Sequence, residues 1–343
     1  MTFKNLPPSY QESELEFKGD EKVDISAKSK ESKAGPFEGT TATVHHNSAD
    51  SLLVRDRELA ICKTDTYTFV SEDAWKMYEK SLKSKNDHLR MSQQNGIGIP
   101  VLKGEFNAYA SSAQFMEFYA YKLPEFGSFN FNNDYFHFCA VKRLCRPAYD
   151  CFVFTFTPDR EDPKQNFSFT MFSHAVHPIN DYKYKGEIHR WVDESKNSCN
   201  LEPKKKRGLF FSKASPETEF RHTILDDNQP SLVDSWDGKG TKLDMNSSKN
   251  PLLKPQYGKL TDDQLFYGRS NIGNCTRETK GKPAILKICD AVARKDLDPE
   301  CVASVGLEAL VSACVAKVLL TNKKYIDNDK KRNYQLAKPE LFD

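Results

Sequence analysis

Residues 298–320, DPECVASVGLEALVSACVAKVLL, form the most apolar stretch of this 343-residue chain. Asp298 is a suitable helix N-cap and a proline follows it, so the pattern predicts a helix that starts here. Within 301–320 only Glu308 and Lys317 are charged. A helix that is apolar on nearly every face is either enclosed by protein or spans a membrane. The central charge and the small residues favour enclosure, and the length keeps a bilayer-inserted helix open as the alternative.

The segments before this helix alternate with a period of two, which is typical of β-strands. Between about 105 and 275, turn residues separate these segments, so the pattern predicts an antiparallel meander or barrel. The clearest alternation lies in 114–122, 134–143, 151–158, 166–172 and 182–192, and shorter strands are expected near 208–212, 220–225 and 257–268. The predicted fold class is therefore α+β, a mostly antiparallel β-barrel enclosing one hydrophobic C-terminal helix.

A second helix is predicted over 71–90, SEDAWKMYEKSLKSKNDHLR. Ser71 is a suitable N-cap, and acidic residues follow it in the first turn. The apolar side of this helix contains Ala74, Tyr78 and Leu82, which are spaced four residues apart.

Composition and charge limit the class of protein. The 50 basic and 48 acidic residues give a net charge of +2, so no nucleic-acid partner is expected. Nine scattered cysteines favour a reducing intracellular compartment. We expect a disordered tail over 1–51, one folded domain over 52–330 with a loop-rich insertion at 200–256, and a polar tail at 331–343.

The order of elements resembles the tubby C-terminal-like group, which includes LURP-one-related proteins and phospholipid scramblases. Short local similarities to fungal members support this resemblance; they lie at Tyr182, Tyr184, Lys185, Gly186, Arg190–Val192 and Gly258–Leu260. The resemblance implies a closed barrel around the C-terminal helix, with a phosphoinositide or a protein cargo as its ligand. It also implies an alternative, a scramblase-like lipid-handling protein with 301–320 inserted in the bilayer.

The sharpest short motif is Leu6-Pro7-Pro8-Ser9-Tyr10. It resembles the L/P-P-x-Y ligand of WW domains in Nedd4-family HECT ubiquitin ligases. The two prolines favour the polyproline II conformation before binding, which lowers the entropy lost in an aromatic groove, and Tyr10 supplies a ring for a neighbouring pocket. The nearby candidate ubiquitin acceptors are Lys4, Lys18 and Lys22.

A basic run, Lys204, Lys205, Lys206 and Arg207, precedes the apolar residues of GLFF. Such a run is suited to anionic lipid headgroups, and the tubby resemblance favours this interpretation. A nuclear-localisation signal and a solvated loop are the alternatives.

No recognised catalytic or cofactor-binding motif is present. His174 and His177 are three residues apart, so on one strand they would face opposite sides, and with His189 they do not predict a metal site. An enzyme with a site in the loop-rich 200–260 region stays an alternative, because catalytic residues converge in space rather than in sequence.

Together these features predict a non-catalytic intracellular adaptor, or a target, of a Nedd4-type HECT ubiquitin ligase. No cofactor is expected. The expected location is cytoplasmic and peripheral at a membrane, and the nucleus is the alternative.

Overall fold

The computed structural model describes most of the chain from Leu53 onward. The described residues are 53–62, 67–84, 87–107, 114–125, 127–146, 148–194, 218–245, 250, 252, 268–276, 282–292 and 297–336. The predicted tail at 1–51 and the predicted strand near 208–212 lie outside these residues.

Twelve antiparallel strands form one closed barrel in which each strand pairs with its neighbours in sequence. The strands are β1 Leu53–Ile61, β2 Tyr67–Phe69, β3 Leu102–Phe106, β4 Gln114–Tyr121, β5 Tyr135–Cys145, β6 Tyr149–Phe156, β7 Phe167–His174, β8 Ile179–Tyr184, β9 Glu187–Asp193, β10 Thr218–Leu225, β11 Gly268–Thr276 and β12 Ala284–Val292. β1 closes the barrel on β12, with register from Leu53 opposite Val292 to Ile61 opposite Ala284. The barrel prediction is confirmed.

The central strands follow the predicted alternation. Phe152, Phe154 and Phe156 on β6 all have no exposed surface and point into the barrel core. The predicted turn at Gly186 joins β8 to β9, and Lys185 and Gly186 both adopt positive φ angles, of 50° and 87°. Two consecutive positive φ values are typical of the tight turns that match the twist of a hairpin.

The strands at the end of the barrel gave weaker sequence signals. Residues 257–267 of the strand predicted near 257–268 lie outside the described residues, and β11 covers Gly268–Thr276. Its sequence, GRSNIGNCT, is polar and contains a glycine that approaches the next strand closely. A Cβ atom at Gly273 would lie 2.7 Å from the carbonyl oxygen of Lys287, so this position requires glycine for packing rather than for strand propensity.

Among the described residues, three α-helices accompany the barrel: α1 Glu72–Lys83, α2 Asp87–Gln94 and α3 Leu307–Leu336. The predicted helix over 71–90 is therefore two helices, since α1 ends at Lys83 and α2 begins at Asp87. Ser71 is the N-cap of α1, as predicted, and its hydroxyl accepts a hydrogen bond from the Ala74 N–H at 3.0 Å.

The predicted apolar helix lies in the centre of the barrel, as α3. Its fully buried small and branched residues contact the inward side chains of the strands; they are Ala309, Ala313, Cys314, Val315, Ala316 and Val318. Lys317 is also buried and donates a hydrogen bond to the carbonyl oxygen of Cys62. Among the described residues, no helix is both long enough and apolar enough to cross a membrane.

The ends of α3 differ from the prediction. The helix starts at Leu307 rather than near Asp298, and it continues to Leu336, across the predicted domain boundary at 330. The start shifts because a short 3₁₀ turn at Val302–Ser304 precedes the helix and is held to the barrel wall by Arg57. The apolar pattern of the sequence gives no information about this tertiary contact.

A second, smaller core lies on the outside of the barrel, over β6 to β9. Part of the predicted insertion, within residues 226–252, packs there against the outward side chains of the strands. The buried members are Tyr149, Cys151, Phe172, Ile179, Val192, Leu232, Val233, Leu243 and Leu252. We call this region the covered face.

Candidate functional site

The residues of the predicted linear motifs lie outside the described part of the chain. This holds for Leu6, Pro7, Pro8 and Tyr10, for the candidate acceptors Lys4, Lys18 and Lys22, and for the basic run Lys204–Arg207. These predictions stay predictions, and the structure contributes other candidates.

His174, His177 and His189 do not converge on one point. The expectation that His174 and His177 face opposite sides was wrong, because β7 ends at His174, the chain turns there, and the two ring centroids lie 4.4 Å apart. The Nδ1 atom of His174 accepts backbone N–H groups from Val176 at 3.0 Å and from His177 at 2.9 Å. His189 belongs to the barrel interior instead, where it stacks on Tyr182. Among the described residues, no group of metal-ligating side chains could hold an ion.

His189 has a different partner, His222 on β10, which no sequence motif identified as a candidate. The His189 Nδ1 and His222 Nε2 atoms lie 3.1 Å apart, and His222 stacks on Trp191 with a centroid distance of 4.3 Å. Burial lowers the pKa of both imidazoles, and that of His222 strongly. A neutral pair in which one ring donates to the other fits this geometry. Both rings are buried, so the pair packs in the interior of the barrel and has a structural role.

Two buried ion pairs fasten chain segments to the barrel. On the interior side, Arg57 donates from Nε to Asp290 at 2.6 Å and from Nη2 to the Ser304 carbonyl oxygen at 2.8 Å, which holds the approach to α3. Both side chains of the pair are almost fully buried. This cluster has the structural role of fixing where the central helix enters.

The second ion pair holds the covered face. Arg190 contacts both carboxylate oxygens of Asp181, at 2.8 and 2.7 Å. Asp181 also accepts hydrogen bonds from the Ser231 hydroxyl and the Leu232 N–H, each at 3.0 Å. Charge-assisted, two-point contacts of this kind are strong and directional. They fix the covering segment to the strands and leave neither charge open to a ligand.

The outer side of β3, β4 and β5 differs, because it presents aromatic side chains that are only half-buried. We call it the tyrosine surface, and its members are Lys103, Glu105, Glu117, Tyr119, Tyr135 and His137. Strand register produces this grouping, since Lys103 lies opposite Tyr119, and Tyr119 lies opposite His137. The ring of Tyr119 meets those of Tyr135 and His137 edge to face, at centroid distances of 5.5 and 5.7 Å.

Charged groups order the rings of the tyrosine surface. The Tyr119 hydroxyl donates to Glu117 at 2.7 Å, and this hydrogen bond to a carboxylate raises the pKa of the tyrosine. Lys103 Nζ lies 5.8 Å from the Tyr119 centroid and 5.7 Å from that of Tyr135, within cation–π range. Its ion pair with Glu105, at 2.6 Å, raises the lysine pKa.

Rigid tyrosine rings with polar tips are common in the cores of protein–protein interfaces, because they bury large areas and lose little entropy. The tyrosine surface therefore has the chemistry of a protein-binding patch. A signal for it was present in the sequence: β4 carries aromatic residues on both of its sides, Phe118 inward and Tyr119 outward. A strand with one solvated face would alternate aromatic with polar residues.

Comparison with known proteins gives a family. The chain matches the DIA1 family model over residues 54–332, which spans all twelve strands and most of α3. Searches of curated proteins and of solved structures found no match. Because the family model covers most of the sequence, the chain belongs to the DIA1 family.

Proposed function

We propose that this protein is a non-catalytic adaptor, or a target, of a Nedd4-type HECT ubiquitin ligase that binds the LPPSY motif. The motif offers two adjacent prolines followed by Tyr10, the chemistry that an aromatic WW groove accepts. Ubiquitin would then be transferred to nearby lysines, with Lys4, Lys18 and Lys22 as the acceptors.

The observation that supports an adaptor is the half-buried tyrosine surface on a barrel whose centre is occupied. Fully buried residues of α3 fill the interior, so we place cargo recognition on the outside of the barrel. Tyr119 and Tyr135 provide the rings, and Lys103 with Glu117 provides charges that give the contact a direction.

The tubby-like resemblance adds a lipid ligand to this proposal. A closed twelve-stranded barrel around a C-terminal helix supports the resemblance at the level of fold. In this proposal Lys204–Arg207 binds anionic headgroups such as those of phosphoinositides, and the adaptor works at the cytoplasmic side of a membrane.

The first experiment is a titration of a peptide covering residues 1–20 with a panel of WW domains. We expect micromolar-range binding that is lost in the Tyr10→Ala peptide, because the tyrosine pocket would be empty. A Ser9→Ala peptide is the matched control, since the x position of the motif is not specified. Absence of binding to every WW domain would reject the ligase part of the proposal.

A second experiment addresses the cargo. Cross-linking mass spectrometry would compare the partners of the full chain with those of a Tyr119→Ser/Tyr135→Ser variant. Thr155→Ala, at an exposed position on β6, is the control. A partner that cross-links to β3–β5 and is lost only in the tyrosine variant would support the proposal. An unchanged set of partners in all three proteins would reject the tyrosine surface as the cargo site.

A further inference from the structure

The apolar side of α1 is buried at Ala74 and Tyr78 and exposed near the C-terminal end of the helix. The centroid of the Tyr78 ring lies 5.1 Å from that of Phe69 and 5.7 Å from that of Phe131. Leu82, one helical turn further along the same side, is 67% exposed. Leu82 was predicted on the same apolar side as Ala74 and Tyr78, and in the structure this side is buried at Ala74 and Tyr78 but exposed at Leu82.

A second exposed apolar side chain lies on α2 close to the same end. Met91 is 60% exposed, and α2 has no buried residue. A hydrogen bond from Gln93 Nε2 to Ser81 Oγ, at 2.7 Å, joins the two helices. Leu82 is one residue from the end of α1, and Met91 is four residues from the start of α2, so each lies within about 6 Å, along its helix axis, of the connection. We call the end formed by residues 80–84 of α1 and 87–91 of α2 the helical tip.

Charge is distributed unevenly along this pair of helices. At the start of α1, Lys76 forms ion pairs with Glu72 and Asp73, each at 3.1 Å. Towards the helical tip, Lys80, Lys83 and Arg90 are exposed and have no ion-pair partner among the described residues. Residues 80–94 contain four basic side chains and one acidic, which is a net charge of +3.

We propose that the helical tip is a binding site for an anionic lipid bilayer. Leu82 and Met91 enter the boundary between headgroups and acyl chains, and Lys80, Lys83 and Arg90 contact lipid phosphates. Apolar side chains flanked by unpaired basic residues are the composition of helices that lie at membrane surfaces. The base of α1 holds the tip in place, since the Ser71 hydroxyl donates to Glu300 at 2.5 Å in addition to the packing of Tyr78.

The expected affinity is moderate and depends on both contributions. Each basic residue close to an anionic surface strengthens binding by about fivefold, and two inserted apolar side chains together contribute at least about tenfold. Salt should weaken the binding, because the charges at the tip are exposed. This site is distinct in sequence from Lys204–Arg207 and does not depend on the LPPSY motif.

The test is sedimentation of the full chain with phosphatidylserine–phosphatidylcholine vesicles and with phosphatidylcholine vesicles. We expect binding to the former only, and a loss of about tenfold or more in Leu82→Ser/Met91→Ser. Val176→Ser is the matched control, since Val176 is 78% exposed elsewhere on the surface and its loss should change nothing. All three substitutions are at exposed sites, so thermal unfolding should be unchanged.

A charge-reversal pair completes the test. Lys80→Glu/Lys83→Glu should weaken binding by at least about tenfold and reduce its salt dependence, whereas Lys183→Glu/Lys239→Glu, at exposed sites elsewhere, should not. Failure of the wild-type chain to bind the anionic vesicles would overturn the proposal. It would be overturned equally if alanines at Lys204–Arg207 abolished binding while both helical-tip variants bound normally. Tyr10→Ala should leave vesicle binding intact, which separates this proposal from the ligase proposal.

Discussion

The covered face and the tyrosine surface are two outer regions of one barrel wall, and both present aromatic side chains outward. On the covered face, Tyr149 and Phe172 are 5% and 0% exposed beneath Leu232 and Leu243. On the tyrosine surface, Tyr119 and Tyr135 are only half-buried. Outward-facing aromatic residues of the same barrel are therefore buried in one region and partly exposed in the other.

The difference lies in what each region uses to satisfy its polar groups. On the covered face, Asp181 and Arg190 bind the covering segment itself, so the aromatic residues beneath become a second core. On the tyrosine surface, the Tyr119 hydroxyl donates its hydrogen bond to Glu117, which lies on the same strand. The ring faces keep their exposed area, and this is why we assign structure to the first region and recognition to the second.

The largest effect is expected from Asp181→Ala. The substitution removes the carboxylate that faces the buried Arg190 guanidinium, and it also removes the acceptor for Ser231 and Leu232, so the free energy of unfolding should fall by about 3–5 kcal/mol. Urea denaturation measures this change. In the double variant Asp181→Leu/Arg190→Met much of the loss should be recovered; a loss as large as that of the single variant would contradict the ion-pair argument.

Leu232→Ala tests the packing of the cover rather than its charge. Leu232 has no exposed surface, so its truncation should reduce the free energy of unfolding by about 2–5 kcal/mol through lost burial and a residual cavity. Chemical denaturation at constant pH gives the value. A change below about 1 kcal/mol would mean that the covering segment contributes little to the core.

Acid should weaken the barrel beside the covered face, at His189 on β9 and His222 on β10. Burial holds the pKa of His189 and His222 below the unfolded value of about 6.5, so the unfolded chain takes up protons first as the pH falls. The contribution of the pair is therefore complete above about pH 6.5, and it is lost as the pH falls towards the folded-state pKa values. Urea titrations across this range should show falling stability, with a shallower slope in His222→Phe. Thr155→Ala, a substitution without a titratable group at an exposed site, is the control and should keep the wild-type slope.

The smallest effect is expected from Tyr119→Ala. The ring is half-buried and lies on the outside, so the free energy of unfolding should change by less than about 1 kcal/mol. Thermal unfolding beside Leu232→Ala provides the direct comparison. If Tyr119→Ala cost as much as Leu232→Ala, the tyrosine surface would be a further structural core and the proposed recognition role would fail.

The central strands and the enclosed helix could be predicted because their signals are local. Phe152, Phe154 and Phe156 occupy alternate positions of one strand. The apolar pattern of α3 is compatible only with a helix that is enclosed by protein or inserted in a bilayer. The start of α3 at Leu307 could not be predicted, because it depends on Arg57, some 250 residues earlier in the chain.

The candidate surfaces were harder to predict than the fold. Tyr119, Tyr135 and His137 come together only through the register of β4 and β5, which sequence patterns do not specify. Leu82 was expected on the apolar side of α1 with Ala74 and Tyr78, and its exposure could not be inferred from that spacing. The linear motif at Leu6–Tyr10 was recognisable for the opposite reason, since its chemistry is contained in five consecutive residues.

The pairing of β1 with β12 has a consequence for how the chain folds during synthesis. β1 pairs mainly with a strand that begins more than 220 residues later, and the helix that fills the centre follows after that strand. At about 5–20 residues per second, a ribosome needs roughly 10–45 s to make the intervening chain. Until then the nascent barrel has unpaired edge strands and an unfilled interior. Contacts between residues that are far apart in the sequence also form slowly. Barrel closure is therefore a late step in the folding of the chain, and a nascent chain that stalls before Leu307 would present its aromatic interior to chaperones.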